Sequence, residues 1–228
     1  CPKCGDTGWN GTEMCSCLKQ LCTQEQIKEL TSLLNLTEEQ SFARLRLDVY
    51  SDRPWQGMAR SPRENMTRVV AVCEGFARQF PSYPLKNLLL SAGLGKTFLS
   101  GCIAREVSER GFSVVYDTAI SLFAAFESRK FSRDMEEGRQ ARDETRRYLH
   151  CDLLILDDLG SELTTPFVQS ALYELINSRL LADKRTIIST NLSIEQIAAR
   201  YTPQIASRIE GLFQELTFYG EDIRLKRP

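Results

Sequence analysis

The segment that most constrains this chain is Gly93-Leu94-Gly95-Lys96-Thr97, which follows an apolar stretch, Asn87–Ser91, and opens a helical pattern from about Lys96 to Arg110. A strand, a glycine turn and a helix in that order make a phosphate-binding context. Glycines let backbone N–H groups turn toward an anion, and the helix N-terminus adds partial positive charge. Lys96 is then placed to reach β- and γ-phosphate oxygens, and Thr97 to ligate Mg²⁺. One departure matters. The full spacing G-x-x-x-x-G-K-[ST] calls for glycine five positions before Gly95, and that position is Leu90. Two residues, Gly-x, between Ser91 and Ala92 would restore it. Either the chain has an unseen gap at that junction, or the loop is two residues short and ATP binding is in question.

Leu153-Leu154-Ile155-Leu156-Asp157-Asp158 is the acidic counterpart, an apolar strand ending in two carboxylates some 60 residues downstream. Beside a phosphate loop, Asp157 would hold Mg²⁺ through water and Asp158 would orient or deprotonate the attacking water. Thr186–Asn191 ends another apolar strand in polar residues. Asn191 is either a sensor of the γ-phosphate or a turn residue capping that strand.

Elsewhere, apolar strands alternate with helices. Ser61-Pro62-Arg63-Glu64 supplies an N-cap, an N1 proline and an N3 glutamate for a helix to about Phe80. A strand at Ser113–Tyr116, a helix near Ala119–Arg129, a charged stretch to Arg147 and a helix from Pro166 to about Ala182 follow. Ser193 and Thr202-Pro203 open two more helices, and Glu215–Phe218 reads as a last strand. Such alternation predicts an α/β fold with a parallel sheet covered on both faces.

A net charge of −1 argues against a protein that coats nucleic acid through its overall field, so any DNA contact must be local. No apolar run approaches the roughly 20 residues of a membrane helix and no signal-peptide pattern opens the chain, so the expectation is a soluble, cytoplasmic protein without membrane contact. Because the first residue is a cysteine, a further N-terminal region is expected before it.

Five of the eight cysteines fall within the first 22 residues. Cys1-x-x-Cys4 followed by Cys15-x-Cys17 offers four thiolates from two short loops, which suits tetrahedral Zn²⁺; reduced thiols or an iron–sulfur site are the alternatives, and Cys22 could replace one ligand. Thr23, Glu25 and Gln26 read as the start of a helix to about Leu34, with Ile27, Leu30, Leu33 and Leu34 on one face. The expected organisation is a Cys4 zinc-binding module at 1–22, a helical linker at 23–40 and the α/β domain at 41–228.

GLGKT, LLILDDLG, STNL and Ser207-Arg208-Ile209, taken in order, resemble the AAA+ ATPases of the DnaC/DnaI helicase-loader group and the related IstB transposition ATPases, over about Ser41–Lys226. The resemblance implies a P-loop AAA+ fold with a five-stranded parallel sheet of order 5-1-4-3-2. ATP would bind at the strand C-terminal ends, held by Gly93, Leu94, Gly95, Lys96, Thr97 and Asp157. It casts Asn191 as sensor 1 and Arg208 as an arginine finger acting on a neighbouring subunit's γ-phosphate, with Arg200 as runner-up. With 37 residues after Asn191, the lid is reduced or absent. Aspartate at 158, where many AAA+ proteins have glutamate, suggests slow hydrolysis. The string CPKCGDTGW…CSC is similar to the segment that precedes the ATPase domain in DnaI-type loaders, where the N-terminal region engages the replicative helicase. IstB-type proteins are not expected to carry it.

In the initiator and loader branch, helices after the second strand face single-stranded DNA. Arg129–Arg147 holds seven basic and five acidic residues, with Arg139, Arg142 and Arg146 at helical spacing, so these three are the candidate DNA contacts. The alternative is a solvated helix laced by pairs such as Arg139–Asp143. Phe123, Phe126 and Phe131 are expected in the core or an interface, His150 in packing or at the surface, and Phe42 and Leu47 near the adenine. The implied function is ATP-dependent loading of a replicative helicase onto single-stranded DNA by a self-associating ATPase that uses ATP, Mg²⁺ and Zn²⁺. Alternatives are an IstB-type transposition accessory ATPase and a non-hydrolysing, nucleotide-gated adaptor. The sequence leaves open which helicase is served and the oligomer size.

Overall fold

In a computed structural model, the structure describes residues 1–34 and 41–221. The side chains of Leu30, Leu33 and Leu34, residues 35–40 of the expected linker and the end of the chain from 222 lie outside the described residues.

Five parallel strands form the main sheet: β3 (Leu88–Ser91), β4 (Val114–Thr118), β5 (Leu153–Leu159), β6 (Arg185–Thr190) and β7 (Gln214–Thr217). Their spatial order is β4-β5-β6-β3-β7. Counted one to five along the chain and taken from the β7 edge, that is the expected 5-1-4-3-2. Strand β3 pairs with both β6 and β7, so the phosphate loop leaves the interior of the sheet.

Alternation along these strands divides the core in two. Leu88, Leu90, Leu153, Ile155 and Ile187 point toward α2 (Pro62–Arg78) and α3 (Lys96–Glu109). Leu89, Leu154, Leu156 and Ile188 point toward α4 (Ala119–Phe131), α5 (Met135–His150), α6 (Pro166–Leu181), α7 (Ile194–Arg200) and α8 (Pro203–Leu212). A sheet buried on both faces explains why its strands read as nearly continuous apolar runs. Ser61 caps α2 in a capping box with Glu64, as the sequence predicts. Among the described residues no helix follows β7, and none is long and apolar enough to cross a membrane.

Three local features sharpen the expected layout, and one, the start of α1, corrects it. The charged stretch before Arg147 is a helix of its own, α5, whose first turn is capped by Asp134 accepting from the backbone of Glu136 and Glu137. The helix expected from Thr23 starts at Ser16 and runs as α1 to Leu34, so Cys17 and Cys22 lie on it. A two-stranded ribbon, β1 (Trp9–Asn10) with β2 (Glu13–Met14), separates the two cysteine pairs.

Helix α1 packs along α3. Gln26 makes the polar part of that contact: its amide nitrogen donates to Ser108 Oγ (2.7 Å) and the Phe112 carbonyl (2.9 Å), and its oxygen accepts from Val114 N–H (3.0 Å). Val114 opens the edge strand β4, so Gln26 satisfies a donor the sheet itself leaves unpaired.

Candidate active site

Ala92 follows Ser91 directly in the sequence, and the loop it opens is two residues shorter than the full spacing. Four residues, Ala92–Gly95, connect β3 to α3. The turn is made by positive φ at Ala92 (55°), Gly93 (45°) and Gly95 (108°). Glycine is required at 93 for a second reason: a Cβ there would lie 2.4 Å from the Phe218 carbonyl oxygen. Phe218 N–H donates to Ser91 O, so the end of the last strand forms the floor of the loop. A loop this short offers fewer inward N–H groups to a phosphate than the full spacing does.

Lys96 is buried, and its ammonium donates to the carbonyls of Ala92 (2.6 Å) and Gly93 (2.8 Å) and to Asn191 Oδ1 (2.7 Å). The two motifs chosen from opposite ends of the domain thus meet at one charged group. Together with Gly93, Leu94, Gly95, Thr97, Asp157, Asp158 and Ser189 they line an open cavity of about 890 Å³ at the C-terminal ends of the strands. That is where a parallel α/β sheet places ligands.

Asp157 is the most heavily bonded side chain here. Its Oδ2 accepts from Tyr116 Oη at 2.5 Å and lies 3.4 Å from Thr97 Oγ1, while its Oδ1 accepts from Ser189 Oγ and from Asp158 N–H. Burial, and then the Asp157 charge, push the Tyr116 phenol far above its ordinary value, so it stays a donor. Strand β5 does not stop at the carboxylates as the apolar run suggests. It continues to Leu159 across a bulge, with Asp158 at φ 56° and exposed to solvent. A left-handed aspartate at a bulge turns that side chain out of the strand toward the cavity, a type of backbone strain concentrated at functional sites.

Arg208 lies away from this cavity, between α6 and α8. Its guanidinium sits 4.5 Å from the Tyr173 ring centroid, donates to Tyr173 Oη (2.8 Å) and lies 3.4 Å from Asn177 Oδ1. Arg200, by contrast, donates to the Glu162 carbonyl of its own chain at 2.5 Å.

Arg139, Arg142 and Arg146 are all exposed, on the flank of α5 beside its buried residues Gly138, Ala141, Thr145 and Tyr148. Among the described residues no ion pair joins Arg139 to Asp143. Phe123 and Phe126 are in the core, as expected, whereas Phe131 is exposed at the end of α4 against Phe167. His150 is at the surface. Phe42 and Leu47 pack with Tyr50 against the core cluster that contains Met66 and Phe218, and Tyr50 Oη and Met66 reach the Gly95 side of the loop. Sequence reasoning missed Tyr50, Tyr116 and Ser189.

The four cysteines converge: the Sγ atoms of Cys1, Cys4, Cys15 and Cys17 all lie within 4.8 Å of one another. Cys1–Cys15 is 3.9 Å and Cys4–Cys17 3.4 Å. A tetrahedral zinc with bonds of about 2.3 Å needs sulfurs about 3.8 Å apart, so the donor set fits that ion. A hydrogen bond from the backbone at Cys17 lowers the Cys15 thiol to about 7, while its bond to Cys4 raises Cys17. Cys22, Cys73, Cys102 and Cys151 are free thiols outside the cluster.

These features together define an α/β domain of P-loop AAA+ fold. The profile of the IstB-like ATP binding protein family matches residues 85–218, and the chain belongs to that family. No curated protein matches it. Among solved structures it is similar to DnaI, at 20% identity and a TM-score of 0.60, covering 83% of this chain and 94% of that one. It is also similar to the DnaC helicase loader, at 22% identity and a TM-score of 0.58, covering 78% and 98%. A replication initiator DnaA bound to AMPPCP and single-stranded DNA gives 17% identity and a TM-score of 0.62; the match covers 82% of this chain and spans only 51% of that one. Likeness at these identities establishes the shared fold.

Proposed function

We propose that this chain is an ATP-dependent loader of a replicative DNA helicase. The observation that carries the nucleotide half of this reading is the meeting of Lys96, Asn191, Thr97 and Asp157 in one cavity at the strand C-terminal ends. Lys96 exchanges its carbonyl partners for phosphate oxygens, and the loop N–H groups and the start of α3 hold the remaining charge. Thr97 and Asp157 are the residues that would hold Mg²⁺, and their donor set suits a hard cation bound partly through water. When bound with ATP, the ion neutralises charge on the β- and γ-phosphates. Asp158 orients the attacking water, Asn191 reports on the γ-phosphate, and Arg208 reaches the neighbouring subunit's nucleotide in a self-assembled oligomer. Cys1, Cys4, Cys15 and Cys17 would hold Zn²⁺, which would supply the cross-link for an N-terminal module that faces the helicase. Arg139, Arg142 and Arg146 contact the phosphates of single-stranded DNA.

The likeness to DnaI and to the DnaC helicase loader supports the choice of partner, and the cysteine cluster weighs against a transposition ATPase. Pull-down from cell extract against a replicative helicase and against a transposase separates the two. Recovery of the helicase is expected; recovery of the transposase alone overturns the assignment. The shortened loop favours one second reading, an adaptor that binds nucleotide without turnover. Phosphate release with DNA and helicase present, no faster than in Lys96→Ala, would establish that adaptor.

A further inference from the structure

We propose that Tyr116 is a positioning residue for the Asp157 carboxylate, fixing the plane in which it faces Mg²⁺-nucleotide. The inference rests on the nucleotide reading above. A carboxylate turns freely about its last bond unless both oxygens are held. Here one oxygen takes the Tyr116 hydroxyl from β4 on one side of β5, and the other takes the Ser189 hydroxyl from β6 on the opposite side. Such a two-sided clamp leaves the carboxylate one orientation, with Oδ2 toward Thr97 at 3.4 Å.

The clamp is rigid on the tyrosine side. Tyr116 is only 5% exposed, and its ring belongs to the apolar cluster that includes Leu153, Ile155 and Val114. Its hydroxyl is fixed in place by that packing before any ligand arrives. Partners of this kind, one shell behind a metal-binding carboxylate, characteristically contribute 10–100-fold to metal affinity. Core filling alone would explain a phenylalanine at this position; it does not explain a hydroxyl aimed at the carboxylate.

Tyr116→Phe keeps the ring and its packing, so the test isolates the hydroxyl. Binding of a fluorescent ATP analogue is measured against Mg²⁺ concentration and, separately, in EDTA, with the melting temperature as a check on the fold. The expected result is a Mg²⁺ midpoint raised about tenfold, with EDTA affinity within about twofold of the unsubstituted chain. An unchanged or lowered midpoint overturns the proposal. The same substitution made in Asp157→Asn should shift the midpoint by less than about twofold, because the oriented carboxylate is gone. A full shift in that background also overturns it. If the unsubstituted chain binds ATP with no response to Mg²⁺, the nucleotide reading falls and takes this inference with it. If it responds and Tyr116→Phe matches it, only the role of Tyr116 falls.

Discussion

The cysteine module and the sheet domain hold their shapes by different means. In the first 22 residues the buried positions are Cys4, Gly8 and Cys15, while Trp9, Met14 and Leu21 stay exposed. In the sheet, Leu88, Leu90, Leu153, Leu154, Ile155, Leu156, Ile187 and Ile188 are all fully buried. One region gathers four thiols within 4.8 Å of one another, and the other removes apolar area from water. That difference predicts that the two melt separately, each responding to a treatment that leaves the other alone.

The largest separation should come from metal removal. A chelator, or Cys4→Ser, is expected to unfold the module with a loss on the order of 10 kcal/mol of metal-linked stability. The main melting transition should stay in place; its loss along with the module would break the distinction. Leu154→Ala is the converse, expected to cost about 2–5 kcal/mol by cavity formation, seen as a lower midpoint in urea, with zinc content unchanged. Smaller still is the loop. Inserting Gly-Ser between Ser91 and Ala92 restores the full spacing and should strengthen ATP affinity about tenfold, or about 1.4 kcal/mol, by adding N–H donors. Gln26→Ala removes the polar contact between α1 and the sheet domain, with an expected cost of about 1–2 kcal/mol. Hydrogen exchange at Val114 should quicken with it, because that amide loses its acceptor; an unaltered exchange rate would show that α1 does not hold the edge of β4. Arg142→Glu carries the smallest effect on the fold. It should weaken single-stranded DNA binding and flatten its salt dependence by about one phosphate contact, and an unchanged slope would make α5 a plain solvated helix.

Much of the fold was legible because its signals are local. Glycine, lysine and threonine at one strand–helix junction, two carboxylates after an apolar run, and Ser61 with Glu64 each announce themselves within a few residues. The strand order came instead from a resemblance, since nothing in the spacing says that β7 pairs with β3. Tyr116 and Ser189 were illegible for a related reason. In the chain they are ordinary residues on apolar strands, and only the pairing of β4 and β6 with β5 brings their hydroxyls to Asp157. Asp158 shows the limit of motif reading from the other side: its place was evident, but the bulge that turns it outward is a property of the strand ladder. Helix α1 begins at Ser16, directly after Cys15, and carries Cys17 of the cysteine cluster in its first turn, upstream of the capping signal at Thr23.

The floor of the phosphate loop carries a consequence for synthesis. Gly93 is shaped against the carbonyl of Phe218, which directly follows the last strand and is made 125 residues after the glycine. A chain emerging from the ribosome therefore holds GLGKT, both carboxylates and Asn191 while the loop still lacks the surface that forms it. The loop is complete only once Phe218 is in place, so a truncation just before it is expected to keep every motif of the site and lose the loop's shape.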